Sequence, residues 1–355
     1  MEGVEDIVIL GAGIAGLATS LGLHSIVTIS VNSGLTTSEM PFTAPDQEVD
    51  FRCMNRRVLL ETLENELPKS TIRYSSKVVH IEDSGFLKSI HLADGTIIKT
   101  KVLIGCDGVN SVVAKFLGLS KPSFVGRSGV RALINYKDGH GFEPKLMQFF
   151  GKGVRYGVIP CDDRTVYWFF TFTPTPQEKE VEEDPNKLKQ FVLSKLGKVS
   201  DKIRAVFENT ELNNMVCSPL RFRHPWELLW GDISKDNVCV AGDALHPMTP
   251  DVGQGACSAL EDAVVLARAL ADALKRKQEN DEKNEQWQIR KGLEKYAKER
   301  RWRSFELIST AYLVGFMQQS DGVLMNFVRD KIMAKFLAGV LLKTTRFDCG
   351  DLTIS

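Results

Sequence analysis

Three glycine clusters, far apart in the chain, hold the residues best suited to ligand chemistry. Gly11, Gly13 and Gly16 form G-x-G-x-x-G. Gly105-Cys106-Asp107-Gly108 is the second cluster. The third is Gly242-Asp243, followed by Pro250 and Gly253-Gln254-Gly255. In the first, one glycine permits a tight turn, the next lets a pyrophosphate approach the backbone, and the last lets helix and strand pack closely. In the third, the glycines lead into a helix whose free N–H groups and partial positive charge suit a phosphate or an electron-rich ring. Asp243 is placed to accept a hydrogen bond from a ribose hydroxyl. Each cluster also has a plainer reading. The third serves equally as a strand–loop–helix joint with capping glycines, and the second as a turn with Ser111 capping a short helix.

The elements that must position these residues are legible from periodicity. Residues 6–24 give a strand, the first glycine motif and the start of a helix, the context a dinucleotide fingerprint requires. Asn237 to Ala241 reads as a buried strand. From Ala256 to Ala271 apolar residues recur every three or four positions, giving one face of a long helix. Residues 71–105 read as a strand meander with a turn at Asp94-Gly95. A helix starts at the N-cap Asn55 and stops at Pro68. Arg56 and Arg57 stand in its first turn, where the helix dipole disfavours cations; a ligand site and a solvated pair are both open there. One part is missing. The fingerprint expects an acid about 20 residues after the glycines, to hold a ribose. No acidic residue lies between Asp6 and Glu39, and Ile26 to Val31 reads as a β-branched strand directly after a short helix ending at His24. The first βαβ unit is cut.

Residues 127–173 alternate with period two, which predicts an antiparallel sheet with a turn at Asp162-Asp163. Its aromatic residues suit the wall of an apolar pocket, although most are expected simply to pack. Pro185 starts a helix running to about Leu196, and 213–223 is strand-like. The charged stretch after Leu274 is expected to be a solvated linker and helix face, with Arg300-Arg301-Trp302-Arg303 on exposed helix. Apolar patches at Tyr312–Met317 and Phe336–Leu342 are expected to pack on the body of the protein, a membrane-surface helix being the alternative.

Composition excludes other classes. Lys+Arg and Asp+Glu both number 45, so the basic footprint of a nucleic-acid binder is missing. The seven cysteines are scattered and odd in number, which predicts reduced thiols and no metal site. No apolar run is long enough for a membrane span. The N-terminus reads as neither a signal nor a transit peptide, so a cytoplasmic location is expected.

Taken jointly and in order, the three clusters resemble the group A flavoprotein aromatic hydroxylases, the FAD-dependent monooxygenases. The likeness is greatest to plant zeaxanthin-epoxidase-like and salicylate-hydroxylase-like members, over nearly the whole chain. The resemblance implies an α/β fold: a Rossmann-like FAD domain of the glutathione-reductase type, an antiparallel-sheet substrate domain and a helical C-terminus. The corresponding ranges are 1–120 with 213–275, then 121–212, then 276–355. It implies FAD as cofactor, NAD(P)H as co-substrate, and O₂ delivered through a flavin C4a-hydroperoxide to hydroxylate or epoxidise an apolar or aromatic small molecule. Gly11, Gly13 and Gly16 would then face the FAD pyrophosphate. Arg56, in an R-x-x-L helix start, would contact flavin. Asp107 would lie near FAD and the nicotinamide, Asp243 near the ribityl and pyrophosphate region, and Pro250, Gly253, Gln254 and Gly255 against the isoalloxazine ring. His246 would be a structural neighbour of the cofactor, with no side chain acting as nucleophile or general base. The family carries about fifty further residues after Gly16, including the ribose-binding acid. A shortened, catalytically impaired form acting through protein contacts is therefore an alternative, and a same-fold flavin reductase or cyclase on a lipid is another.

Overall fold

The computed structural model describes residues 4–31, 53–151, 153–175, 178, 181–275, 282–319 and 347–350. The apolar patch at 336–342 lies outside them.

Strand β1 (Val4–Leu10) leads through the first glycine motif into helix α1 (Ile14–Val31). Helix α2 (Arg56–Asn65) follows, with the Asn55 side chain accepting from the Arg57 N–H as its cap. The meander is β2 (Val78–Ser84), β3 (Leu87–Leu92) and β4 (Ile97–Gly105), then the short α3 (Val112–Phe116). Next come β5 (Ser123–Asn135), β6 (Met147–Gly151), β7 (Val154–Pro160), β8 (Thr165–Phe172), α4 (Pro185–Lys195), α5 (Asp201–Glu208) and β9 (Val216–Phe222). The chain then runs through α6 (Glu227–Trp230), β10 (Ser234–Lys235), β11 (Val238–Val240), α7 (Gly255–Lys275) and α8 (Glu282–Gln319).

These strands form two sheets. The first has the order β10-β11-β4-β3-β2, with β1 parallel to β4. β11 is also parallel to β4, and Leu10 and Val240 both register with Gly105. Three parallel strands therefore end side by side. Their Val/Ile/Leu-rich segments (Val102, Leu103, Ile104, Val238, Val240) are fully buried, as expected of strands covered on both faces. α7 covers this layer and packs on both α1 and α8. Among the described residues β1 pairs with β4 alone, and its first three residues are exposed.

The second sheet is antiparallel, in the order β6-β7-β8-β5-β9. Its alternation sorts the side chains by face. Ala132, Val158, Trp168, Phe170 and Phe172 point into one core with Leu188 and Val192 of α4 and Ile203, Val206 and Phe207 of α5. Trp168 lies 4.7 Å from Phe207, ring centroid to centroid, and donates its indole N–H to Thr210 Oγ1 at 2.8 Å.

Four expectations change here. Residues 26–31 are helical, as the end of α1, because no proline interrupts a helix already nucleated at the first motif. Strand β9 joins the antiparallel sheet through β5 rather than the first sheet. The charged stretch is not simply a solvated face. Ile289, Leu293, Tyr296, Arg300, Ser304, Leu307 and Ala311 recur every three or four positions and are buried. Arg300 and Arg303 are buried with them, whereas Trp302 between them is 64% exposed. The patch at 312–317 is divided: Val314 packs on Val252, Tyr312 stacks on Phe222, and Leu313 and Phe316 remain exposed. No described helix is long and apolar enough to cross a membrane.

Candidate functional site

The first glycine cluster is held against the second by backbone. Gly11 has φ +108°, a conformation that side chains resist, and a Cβ there would lie 2.2 Å from the Cys106 carbonyl oxygen. A Cβ on Gly16 would lie 1.9 Å from the Gly11 oxygen. Cys106 N–H donates to Leu10 O at 2.7 Å, and Ala241 N–H donates to Gly105 O at 2.9 Å. The third cluster closes on the same point, since a Cβ on Gly242 would meet Ala15 at 2.7 Å. The three clusters thus converge at the carboxyl ends of β1, β4 and β11, where open α/β sheets bind ligands. Gly13 differs: nothing lies within 4 Å of its Cβ direction. That open space lies beside the N-terminus of α1, where the first N–H groups lack intrahelical acceptors.

Asp243 is exposed at the end of β11. Asp107 is used locally: its carboxylate accepts from Ser111 Oγ at 2.5 Å and from the Val112 N–H at 2.7 Å, while Ser111 Oγ accepts from the Ala114 N–H at 2.8 Å. The geometry therefore displays the helix-cap reading of the second cluster. Arg56 is exposed at the start of α2, which packs on α1; its neighbour Arg57 pairs instead with Glu61. In the third loop Pro250 and Gly253 are exposed, Gln254 is buried, and Gly255 opens α7. Gly253 takes φ +66° to turn the chain into that helix.

Below this loop lies an ion network that sequence reasoning missed. Asp262 of α7 is fully buried. Its Oδ2 accepts from the Gly242 N–H at 2.7 Å and sits 2.6 Å from His246 Nε2, and its Oδ1 accepts from Arg300 Nε at 2.6 Å. Arg300 also reaches Glu261 at 2.8 Å, which pairs with Arg303. Burial works to raise the Asp262 carboxyl, yet His246 and Arg300 hold it below its ordinary range. The network fixes the turn after β11 to α7 and α8. His246 is part of that scaffold and is fully buried. Ser258 Oγ joins the network, 3.2 Å from His246 Nε2 and accepting from Arg300 Nη2 at 3.0 Å, and its i+4 spacing to Asp262 was the available signal.

A cavity of ≈ 260 Å³ opens between the antiparallel sheet and the Pro250–Gly253 loop. Leu146, Ile159, Tyr167, Phe169, Leu220 and Val252 supply apolar lining, and its polar groups include Gln148, Arg131, Arg155 and Asp251. The expected aromatic wall is present on the other face of the strands. Tyr156, Trp168, Phe170 and Phe172 pack against α4 and α5, so Tyr167 and Phe169 meet the cavity. Gly157 leaves room for this: a Cβ there would strike the Phe169 ring at 2.6 Å. Asp251 accepts from Arg127 Nη2 at 2.7 Å and from Arg155 Nη1 at 2.6 Å, all three being buried. Burial and the neighbouring Arg127 pull Arg155 below its usual range, against the pull of Asp251. Arg155 Nε is buried with no hydrogen-bond partner among the described residues.

Strand ends that meet a glycine-cradled helix N-terminus, beside an apolar cavity, define a nucleotide-cofactor α/β protein. The FAD binding domain profile matches residues 56–306. The chain is 47% identical over 408 positions to Monooxygenase 2 of Arabidopsis thaliana, covering 99% of each. It is 32% identical to Monooxygenase 1 of the same plant, covering 98% of this chain and 99% of the relative. In fold it resembles Klebsiella pneumoniae HpxO complexed with FAD and uric acid, with a TM-score of 0.74, 17% identity and 99% of each chain covered. The chain belongs to the FAD-dependent monooxygenases, flavoprotein oxidoreductases with a Rossmann-like FAD domain. An alignment of 408 positions against 355 residues leaves about fifty positions of the first relative without a counterpart here.

Proposed function

We propose that this chain takes electrons from NAD(P)H and places one atom of O₂ on an apolar or aromatic small molecule, by hydroxylation or epoxidation. The observation that carries the reading is the convergence of the three glycine clusters at the carboxyl ends of β1, β4 and β11, with the Pro250–Gly253 loop that follows β11 lining the cavity. The residues present fit the flavin and pyrophosphate parts of FAD. Gly11 and Gly16 leave backbone where a side chain would collide, Gly13 faces open space, and Asp243 is an exposed carboxylate at a strand end. In this reading Gly11, Gly13 and Gly16 face the pyrophosphate and Arg56 contacts flavin. Asp107 borders the flavin and nicotinamide. Asp243 holds the ribityl region, and Pro250, Gly253, Gln254 and Gly255 lie against the ring.

FAD, when bound, supplies electron storage and oxygen activation. The protein's own part is orientation and electrostatics. The α7 N-terminus offers N–H groups to an electron-rich ring. The apolar lining keeps water from the substrate, and Arg155 offers a donor to an acceptor atom on it. The division into an FAD domain, a sheet domain and C-terminal helices remains part of the proposal, with β9 counted in the sheet domain.

The test is direct. The purified protein should be yellow, absorbing near about 370 and 450 nm as flavin does, and should oxidise NAD(P)H faster when a suitable aromatic compound is added. A colourless protein that takes up no added FAD overturns the reading. A second reading, an impaired form, is favoured by the fifty unmatched positions and the one-sided pairing of β1. Tight FAD binding by this chain removes it.

A further inference from the structure

The described cysteines are free, and five have no thiol partner, but Cys53 and Cys161 do. Their sulfurs lie 3.1 Å apart although 108 residues separate them in sequence. Both are half-buried, so a small oxidant can reach them. Each is positioned by structure of its own. Cys53 stands two residues before Asn55, the cap of α2. Cys161 follows the last residue of β7 in a turn fixed on both sides: its N–H donates to Thr165 O at 2.8 Å, and Asp162 Oδ1 accepts from the Arg164 and Thr165 N–H groups. Ile159 and Tyr167, which register with each other across β7 and β8 beside this turn, both line the cavity.

We propose that Cys53 and Cys161 are the site of a reversible disulfide that staples the lead-in of α2 to the rim of the substrate cavity. A disulfide needs about 2.05 Å between sulfurs, so closure requires a movement of about 1 Å. The oxidant is hydrogen peroxide. The Cys161 thiolate attacks one peroxide oxygen; an S–O bond forms, the O–O bond breaks, and one water leaves after protonation. The Cys53 thiolate then attacks the Cys161 sulfur; the S–S bond forms, the S–OH bond breaks, and a second water leaves. Two thiols lose two electrons and peroxide gains them. The order of attack follows from environment: contact with Cys161 and burial push the Cys53 thiol well up, while contact with Cys53 holds the Cys161 thiol below its usual range. The proposal does not depend on flavin being bound.

The experiment uses the 355-residue chain, reduced with dithiothreitol, desalted and treated with equimolar hydrogen peroxide. Remaining thiols are blocked with N-ethylmaleimide and the digest is mapped without reduction. The expected result is a peptide pair joining Cys53 to Cys161, lighter than the separate peptides by two hydrogen atoms. The free-thiol signals of both residues should fall in parallel and return with dithiothreitol. Cys53→Ser should abolish the pair and leave Cys161 open to trapping by dimedone as a sulfenic acid. The preference for this pairing should vanish in guanidinium, which tests the fold without any variant. Oxidation of the exposed Cys257 with Cys53 and Cys161 both recovered as maleimide adducts would overturn the proposal, as would a 53–161 pair formed equally in guanidinium.

Discussion

Arg155 on β7 donates through Nη1 to Asp251 Oδ1 at 2.6 Å, joining the antiparallel sheet to the loop between β11 and α7. Arg127 on β5 holds the other oxygen of the same carboxylate at 2.7 Å. The cavity wall is thus tied by charge to the loop proposed to meet the flavin ring. Removing one partner of a buried pair costs about 3–5 kcal/mol, because the remaining charge is stranded. Asp251→Asn takes the shared carboxylate from both arginines, whereas Arg155→Gln leaves the Arg127–Asp251 pair in place. Asp251→Asn should therefore lose more stability, measured as the denaturant midpoint at unchanged slope. Equal losses would show that the two arginines do not depend on Asp251.

The glycines of the first motif should separate by role. Gly11→Ala places Cβ against backbone at 2.2 Å in a conformation alanine resists, so a loss of about 3 kcal/mol or more is expected. Gly13→Ala meets nothing within 4 Å. It should leave the unfolding midpoint within about 0.5 kcal/mol of the parent yet weaken FAD binding at least tenfold, about 1.4 kcal/mol. Flavin titration and chemical denaturation of both variants check this.

The two faces of the antiparallel sheet should also respond differently. Phe170→Ala opens a void in the core shared with α4 and α5 and should cost about 3–5 kcal/mol. Tyr167→Phe, on the cavity face, should leave stability nearly unchanged and alter KM for the substrate. A KM unaffected by Tyr167→Phe would remove that residue from the binding surface.

Acid should weaken the scaffold through Asp262. A carboxyl whose folded pKa lies below its unfolded value, about 3.9, contributes stability in full above that value and loses it as pH falls through the folded value. Wild type should therefore exceed Asp262→Asn in unfolding midpoint at pH 7. The gap should narrow only below about pH 4. A gap that narrows between pH 7 and 5 would assign the effect to another group.

Restoring the unmatched segment offers a separate test of the adenosine end. Insertion of the residues of the 47% identical relative that lack a counterpart here should strengthen FAD binding roughly ten- to a hundredfold, the worth of one charged hydrogen bond to ribose. Unchanged affinity would show that the adenosine end needs no such partner.

The sequence alone determined the motif order, the strand and helix periods, the Asn55 and Ser111 caps and the turns at Asp94-Gly95 and Asp162-Asp163, because each depends on neighbours a few residues away. It also determined that the acid after Gly16 is missing. Only the tertiary structure decided the rest. Which face of β7 and β8 meets the cavity depends on where α4 and α5 pack, and alternation cannot say which of two faces is covered. Residues 26–31, β-branched and strand-like in isolation, are helical as the end of a helix already begun at Ile14. Arg300 and Arg303 sit in a charged run that reads as solvated, yet Asp262 and Glu261, some forty residues away, draw them inside. The pairing of Cys53 with Cys161 leaves no local trace at all. Contacts between distant segments are set by how whole layers pack, and no short window of residues records them.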